Sequence, residues 1–165
     1  MLKILALDLG THTGFARNFG PLPWAGTWHL AKPQEVTEWH QKRLDRRCDP
    51  RISRLYAKLC NNIIEPDLIV FEDVEFTTYT KQTQLWSALR TAIWIAFDRK
   101  AVIECVPVTT LKKFATGSGA ADKVGMKRAL CKQYPGEADN LDDNAIDAIW
   151  ILKWAEKNLS RMVIA

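Results

Sequence analysis

Two uninterrupted apolar runs, residues 4–7 and 68–71, each stop at a carboxylate: Asp8 in one case, Glu72 in the other. Four consecutive apolar residues bounded by polar ones have the length and composition of a strand buried on both faces. A carboxylate ending such a strand stands at the edge of a sheet, where the core meets solvent. Asp8 is followed by Leu9 and then Gly10-Thr11-His12-Thr13-Gly14, so that edge carries a tight glycine-containing turn of the kind that approaches phosphate. The chain must therefore build a sheet whose central strands present acid at one end.

A third acidic point lies near the C-terminus, in Asp142-Asp143-Asn144-Ala145-Ile146-Asp147. At 3.6 residues per turn, Asp143 and Asp147 fall roughly 40° apart on one helix face, together with Trp150 and Trp154, which are placed to wall a site. Asp142 points elsewhere and reads as a solvated or helix-start residue. Two carboxylates held together in a partly buried setting repel one another and lose hydration, so the pair makes sense with a cation beside it. All-oxygen ligands select a hard divalent ion, Mg²⁺ or Mn²⁺. A lone strand-end aspartate is commonly a cap and an i,i+4 pair commonly a wet face; the joint occurrence of three acidic points gives the site reading its weight.

The remaining pattern is α/β. Strands are expected at 3–9, 14–19, 25–30, 68–72 and 101–106, the first three as an antiparallel meander. Asp49-Pro50 reads as N-cap and first turn of a helix with apolar Ile52, Leu55, Tyr56, Leu59 and Ile63. Residues 84–99 form a helix with Leu85, Trp86, Leu89, Ile93, Ala96 and Phe97 at helical spacing, widened by Trp94 and Ile95, a width that implies burial on two sides. Residues 109–114 start a short helix broken at Gly117-Ser118-Gly119, and Asp122 caps a helix to 133. Residues 32–48 read as loop or irregular helix. The stretch with Arg51, Arg54 and Lys58, after Arg43, Arg46 and Arg47, is either a phosphate-contacting face or a solvated one.

The segments quoted so far, with Lys112-Lys113-Phe114-Ala115-Thr116-Gly117-Ser118-Gly119-Ala120-Ala121-Asp122-Lys123, resemble the RuvC-type Holliday-junction resolvases of the RNase H-like superfamily. The resemblance runs over nearly the whole chain in the family's order, and the compact size suits a phage-type member. It implies an RNase H-like fold, with a mixed five-stranded sheet flanked by helices in one nuclease domain over 1–165. It also implies a crossover junction endodeoxyribonuclease serving DNA recombination and repair, with two Mg²⁺ (or Mn²⁺) ions bridged by Asp8. By position, the metal-binding and catalytic carboxylates are Asp8, Glu72, Asp143 and Asp147. Lys112 and Lys123 approach the backbone near the scissile phosphate, with Lys123 among the catalytic residues. Lys127 belongs to the same basic stretch, and Arg51 and Arg54 are further DNA contacts. Phe76 or Tyr79 occupies the place of a base-stacking aromatic. Bacterial members usually space the last two acids three apart; here they are four apart with Asn144 between, which leaves Asp142 and Asn144 as alternatives to Asp143. The family's dimer helix corresponds to 84–99, making Trp86, Leu89, Ile93 and Trp94 interface candidates in a homodimer on a four-way junction.

At 165 residues and 47% hydrophobic, the chain has room for one core and no second lobe, which argues against an actin-like kinase closing over a nucleotide. Net charge +4 is modest, yet an acidic site conceals how basic the rest of the surface is. Cys48, Cys60, Cys105 and Cys131 are widely separated and read as core thiols in a reducing compartment. Trp24, Trp28 and Trp39 are expected in the core or a dimer rather than on bases. His12, in the turn after Asp8, is expected to be solvated or near phosphate. Without a signal-peptide layout or a membrane-length apolar run, a cytoplasmic protein with no membrane partner is expected. Other nucleases of the superfamily, acting on RNA–DNA hybrid or flap DNA, and a non-catalytic nucleic-acid-binding member are the competing readings.

Overall fold

The computed structural model describes residues 1–20, 24–41, 48–61, 65–73, 80–136 and 140–159. Among them the strands are β1 (Ile4–Asp8), β2 (His12–Arg17), β3 (Ala25–His29), β4 (Leu68–Asp73) and β5 (Val102–Pro107). The helices are α1 (Pro33–Gln41), α2 (Pro50–Cys60), α3 (Thr80–Phe97), α4 (Val108–Thr116), α5 (Lys123–Gln133) and α6 (Asp143–Asn158). The sheet order is β3-β2-β1-β4-β5, with the meander β1–β2–β3 antiparallel and β1–β4 and β4–β5 parallel. This is the mixed five-stranded, helix-flanked sheet of the RNase H-like class.

The two-residue period of a strand sorts the core into two layers. Ile4, Ala6, Leu68 and Val70 face α4, α5 and α6, against Leu111, Ala115, Met126, Leu130 and Ile149. Leu5, Leu7, Ile69 and Phe71 face α2 and α3, against Leu55, Leu59, Leu89 and Ile93. Continuing that alternation by one step, Asp8 and Glu72 both turn toward the α6 layer. The parallel register aligns them as well: Leu7 pairs with Phe71, so the two acids follow side by side at the ends of adjacent strands.

Helix ends are set by the residues the sequence supplies for them. Asp49 accepts from the Arg51 N–H (2.9 Å) with Pro50 in the first turn, Asp122 accepts from the Gly125 N–H (2.8 Å), and Gly117 closes α4 at φ +84°. Asp142 caps α6 by accepting from the Ala145 N–H (3.0 Å) and from the Thr27 hydroxyl of β3. Gly14 fixes where α6 lies: a Cβ there would overlap the Asn144 carbonyl, so only glycine lets the start of α6 rest on β2.

Four expectations are revised. Residues 33–41 form a regular helix, tied down where Glu35 accepts from the Lys32 N–H (2.7 Å) and pairs with Arg54 (2.7 Å). Cys48, Cys60 and Cys131 are exposed and Cys105 is half-buried, and none forms a disulfide, so they are not the core thiols expected. Leu89 and Ile93 lie fully inside the core, so the outward apolar surface of α3 is Trp94 and Ile95 instead. Trp150 is also fully buried: its N–H donates to the Met126 carbonyl (3.1 Å), and its ring meets Phe114 and Tyr134 edge-on, so it anchors α6 to α4 and α5. No helix among the described residues is long and apolar enough to cross a membrane.

Candidate active site

Asp8 from β1, Glu72 from β4 and Asp147 from the second turn of α6 meet where the two parallel strands end. Burial pushes Asp8 up to about 8, helped by the charges of Asp147 and Glu72 and opposed by Lys123. Burial and Asp147 raise Glu72 to about 7, with Lys112 pulling the other way. Burial raises Asp147 to about 6; Lys123 and Lys112 oppose this and Asp143 adds to it. The cause is common to all three: carboxylates from three separated segments share a poorly hydrated place and repel one another. Asp147 ionises most readily, because two lysines face it.

Asp143 occupies the rim. Half its side chain is in solvent, and it forms an ion pair with Lys123 (3.6 Å). Asp142 is spent on the helix cap. Burial pulls its carboxyl upward, but hydrogen bonds from Thr27 and the Ala145 N–H, with His29 nearby, outweigh this and hold it below the ordinary range. The site is thus three inward acids, one rim acid and two lysines.

The donor set suits a hard divalent ion: oxygen-only, multiply anionic, and costly to leave uncompensated. Among the described residues no three His, Cys, Asp or Glu side chains already stand at ligating distance from a common point. The acids are close enough to shift one another's ionisation. Asp8, Glu72 and Asp147 are the residues that would hold it, with Asp143 within reach from the rim.

The basic residues divide differently from the sequence expectation. Lys112 and Lys123 flank the acids, and Lys123, Lys127, Arg128, Val124 and Asp143 line a hollow of about 290 Å³ beside them. Arg51 is not a surface cation. Only 8% exposed, it grips Asp49 through Nε and Nη2 (3.0 and 2.6 Å) and reaches the Thr11 hydroxyl of the β1–β2 turn (3.3 Å). Arg54 is engaged with Glu35 and with the Leu30 carbonyl (2.7 Å). On the other side of the turn, Leu9, Gly10, Thr11, Arg51, Gln82 and Trp86 line a cavity of about 340 Å³. Phe76 and Tyr79 lie outside the described residues. Of the early tryptophans, Trp28 stacks on Phe15 (centroids 4.7 Å apart) and Trp24 packs on the α6 layer.

Sequence reasoning missed Gly14 as the seat of α6 and the pairing of His12 with His29 across β2 and β3. Register alone carried the second signal, since both histidines follow the alternation that places Gly14 and Thr27 under the start of α6.

The chain superposes on Thermus thermophilus RuvC in complex with a Holliday junction substrate with a TM-score of 0.66 at 17% identity, covering 92% of this chain and 90% of that one. The fold is that of the RuvC-type resolvases. A second Thermus thermophilus RuvC structure gives 0.60 at 16% identity over 94% and 95% of the two chains. The yeast mitochondrial Holliday junction resolvase Ydc2 gives 0.53 at 12% identity over 91% and 75%. The sequence matches no family model and no curated protein.

Proposed function

We propose that the chain is a metal-dependent endonuclease that hydrolyses phosphodiesters in branched DNA, four-way junctions foremost. The observation that carries this reading is the convergence of Asp8, Glu72 and Asp147 at one sheet edge, each driven toward its protonated form by burial and like charge. A purely binding protein gains nothing from such an arrangement, and repulsive acids would weaken its hold on DNA.

The roles follow from placement. Asp8, Glu72 and Asp147, with Asp143 at the rim, are the residues that would hold Mg²⁺. Such ions, when bound, supply an ionised water and charge stabilisation at the leaving oxygen. Lys123 sits where the buried acids meet the rim, close enough to offset charge on Asp8 and Asp147, and is placed to offset the charge that grows on a phosphate being attacked. Lys112 does the same beside Glu72. Lys127 and Arg128 extend positive surface away from the acids, along which a DNA backbone can run.

Symmetrical nicking of a junction needs two such sites, hence a two-fold homodimer. The surface for it is the outer face of α2 and α3, where Tyr56, Trp94 and Ile95 are 41%, 44% and 64% exposed. A groove of about 530 Å³ lies there, lined by Ile52, Tyr56, Ala88, Ala92 and Ile95. An exposed apolar patch of this kind marks a contact surface. The test is a cleavage panel in Mg²⁺ comparing a four-way junction, a flap, linear duplex and an RNA–DNA hybrid. Preferred cutting of the junction at symmetric positions supports the reading; faster hydrolysis of hybrid or flap replaces it with another nuclease of the same fold.

A further inference from the structure

His12 opens β2 and His29 closes β3, and the antiparallel register sets them opposite each other. Their Nδ1 atoms face at 2.8 Å, with ring centroids 4.9 Å apart and planes at 72°. Both rings are exposed. An N–H···N bond between two solvated imidazoles returns little against the rotamer freedom both side chains give up. The same approach also suits a shared cation. With metal–nitrogen bonds of about 2.0–2.1 Å, two ligands at right angles stand about 2.9 Å apart, whereas tetrahedral ligands would stand about 3.3 Å apart. The observed separation fits adjacent positions of an octahedral or square-based ion.

The surroundings favour the same occupant. Thr27 and His29 alternate onto one face of β3, and Thr27 donates to Asp142, whose carboxylate lies near enough to His29 for the two to interact electrostatically. We propose that His12 and His29 form a second cation site on this hairpin, separate from the carboxylate cluster and selective for a borderline divalent transition ion. Imidazole nitrogens prefer such ions to Mg²⁺. Among the described residues no third His, Cys, Asp or Glu side chain joins the pair, so water would fill the remaining positions, with the negative charge of Asp142 nearby. Its occupancy is independent of whether the chain cuts DNA.

The test is calorimetric titration of Ni²⁺ into the full chain with Mg²⁺ in millimolar excess to occupy the acids. One equivalent is expected to bind. His12→Gln and His29→Gln, made separately, are each expected to weaken it at least tenfold, while His40→Gln leaves it unchanged. Thermal melting in chelator checks that the variants stay folded, as two exposed side chains should allow. Unchanged Ni²⁺ affinity in both His12→Gln and His29→Gln, or no binding to the parent chain, overturns the proposal.

Discussion

Replacing Asp8 by asparagine should make the protein more stable while destroying its activity. Asp8 has a pKa of about 8 in the folded chain against an ordinary 3.8. A carboxyl group whose pKa is higher folded than unfolded contributes stability that is complete below about pH 4 and drains away as pH rises toward 8. At about 1.4 kcal/mol per unit, the ionised group costs the fold roughly 5 kcal/mol by pH 8. That is a ceiling, because Asp8 keeps part of its surface open to the cleft and its repulsion is shared with Glu72 and Asp147. Asp8→Asn keeps the shape and removes the charge, so about 2–4 kcal/mol of stabilisation is expected at pH 8 in chelator, or roughly 5–15 °C in Tm for a chain this size. At pH 4 the gap should shrink below about 1 kcal/mol. Mg²⁺ at pH 8 should raise the Tm of the parent more than that of the variant, since binding to the folded state adds stability only where the ligands remain. Melting curves of both proteins at pH 4 and pH 8, with chelator and with Mg²⁺, decide the matter. An Asp8→Asn protein no more stable than its parent at pH 8 in chelator would refute the buried, like-charged site.

Gly14→Ala should lower stability by about 3 kcal/mol or more, by denaturant melting, because the new methyl overlaps the Asn144 carbonyl and lifts the start of α6 with its aspartates; cleavage should fall with it. Arg51→Ala should cost about 3–5 kcal/mol by leaving Asp49 buried without its partner, whereas Lys127→Ala should leave stability alone and reduce the slope of log junction affinity against log salt by about one unit. Ile95→Asp should shift the sedimentation profile from dimer to monomer while the monomer stays folded by circular dichroism, since the side chain is 64% exposed in the single chain.

Much of this architecture is written locally. The apolar runs at β1 and β4 carry their own type, and Asp49-Pro50, Asp122 and Gly117 mark helix ends because capping is decided within a few residues. Asp142, which its angle on the wheel left as either solvated or a helix-start residue, is the N-cap of α6. Long-range arrangement escapes such reading. α1 has a polar sequence whose helix is held by Arg54, which lies in the next helix. Arg51 looks like surface charge until folding brings Thr11 and Asp49 around its guanidinium. Trp150 shares a wheel sector with Asp147, yet one further turn takes it under α5 and into the core. That Asp8, Glu72 and Asp147 share one side of the sheet follows from strand alternation plus the placement of α6, and the second needs Gly14.

The most direct test of the central claim sets binding against cutting in one variant. Asp147 would hold metal, while Lys112, Lys123 and Lys127 would hold DNA. A labelled four-way junction should therefore be bound by Asp147→Asn as tightly as by the parent in Ca²⁺, and nicked in Mg²⁺ by the parent alone, at paired symmetric positions. Full Mg²⁺-dependent nicking by Asp147→Asn, or an intact junction after incubation with the parent, would contradict the account.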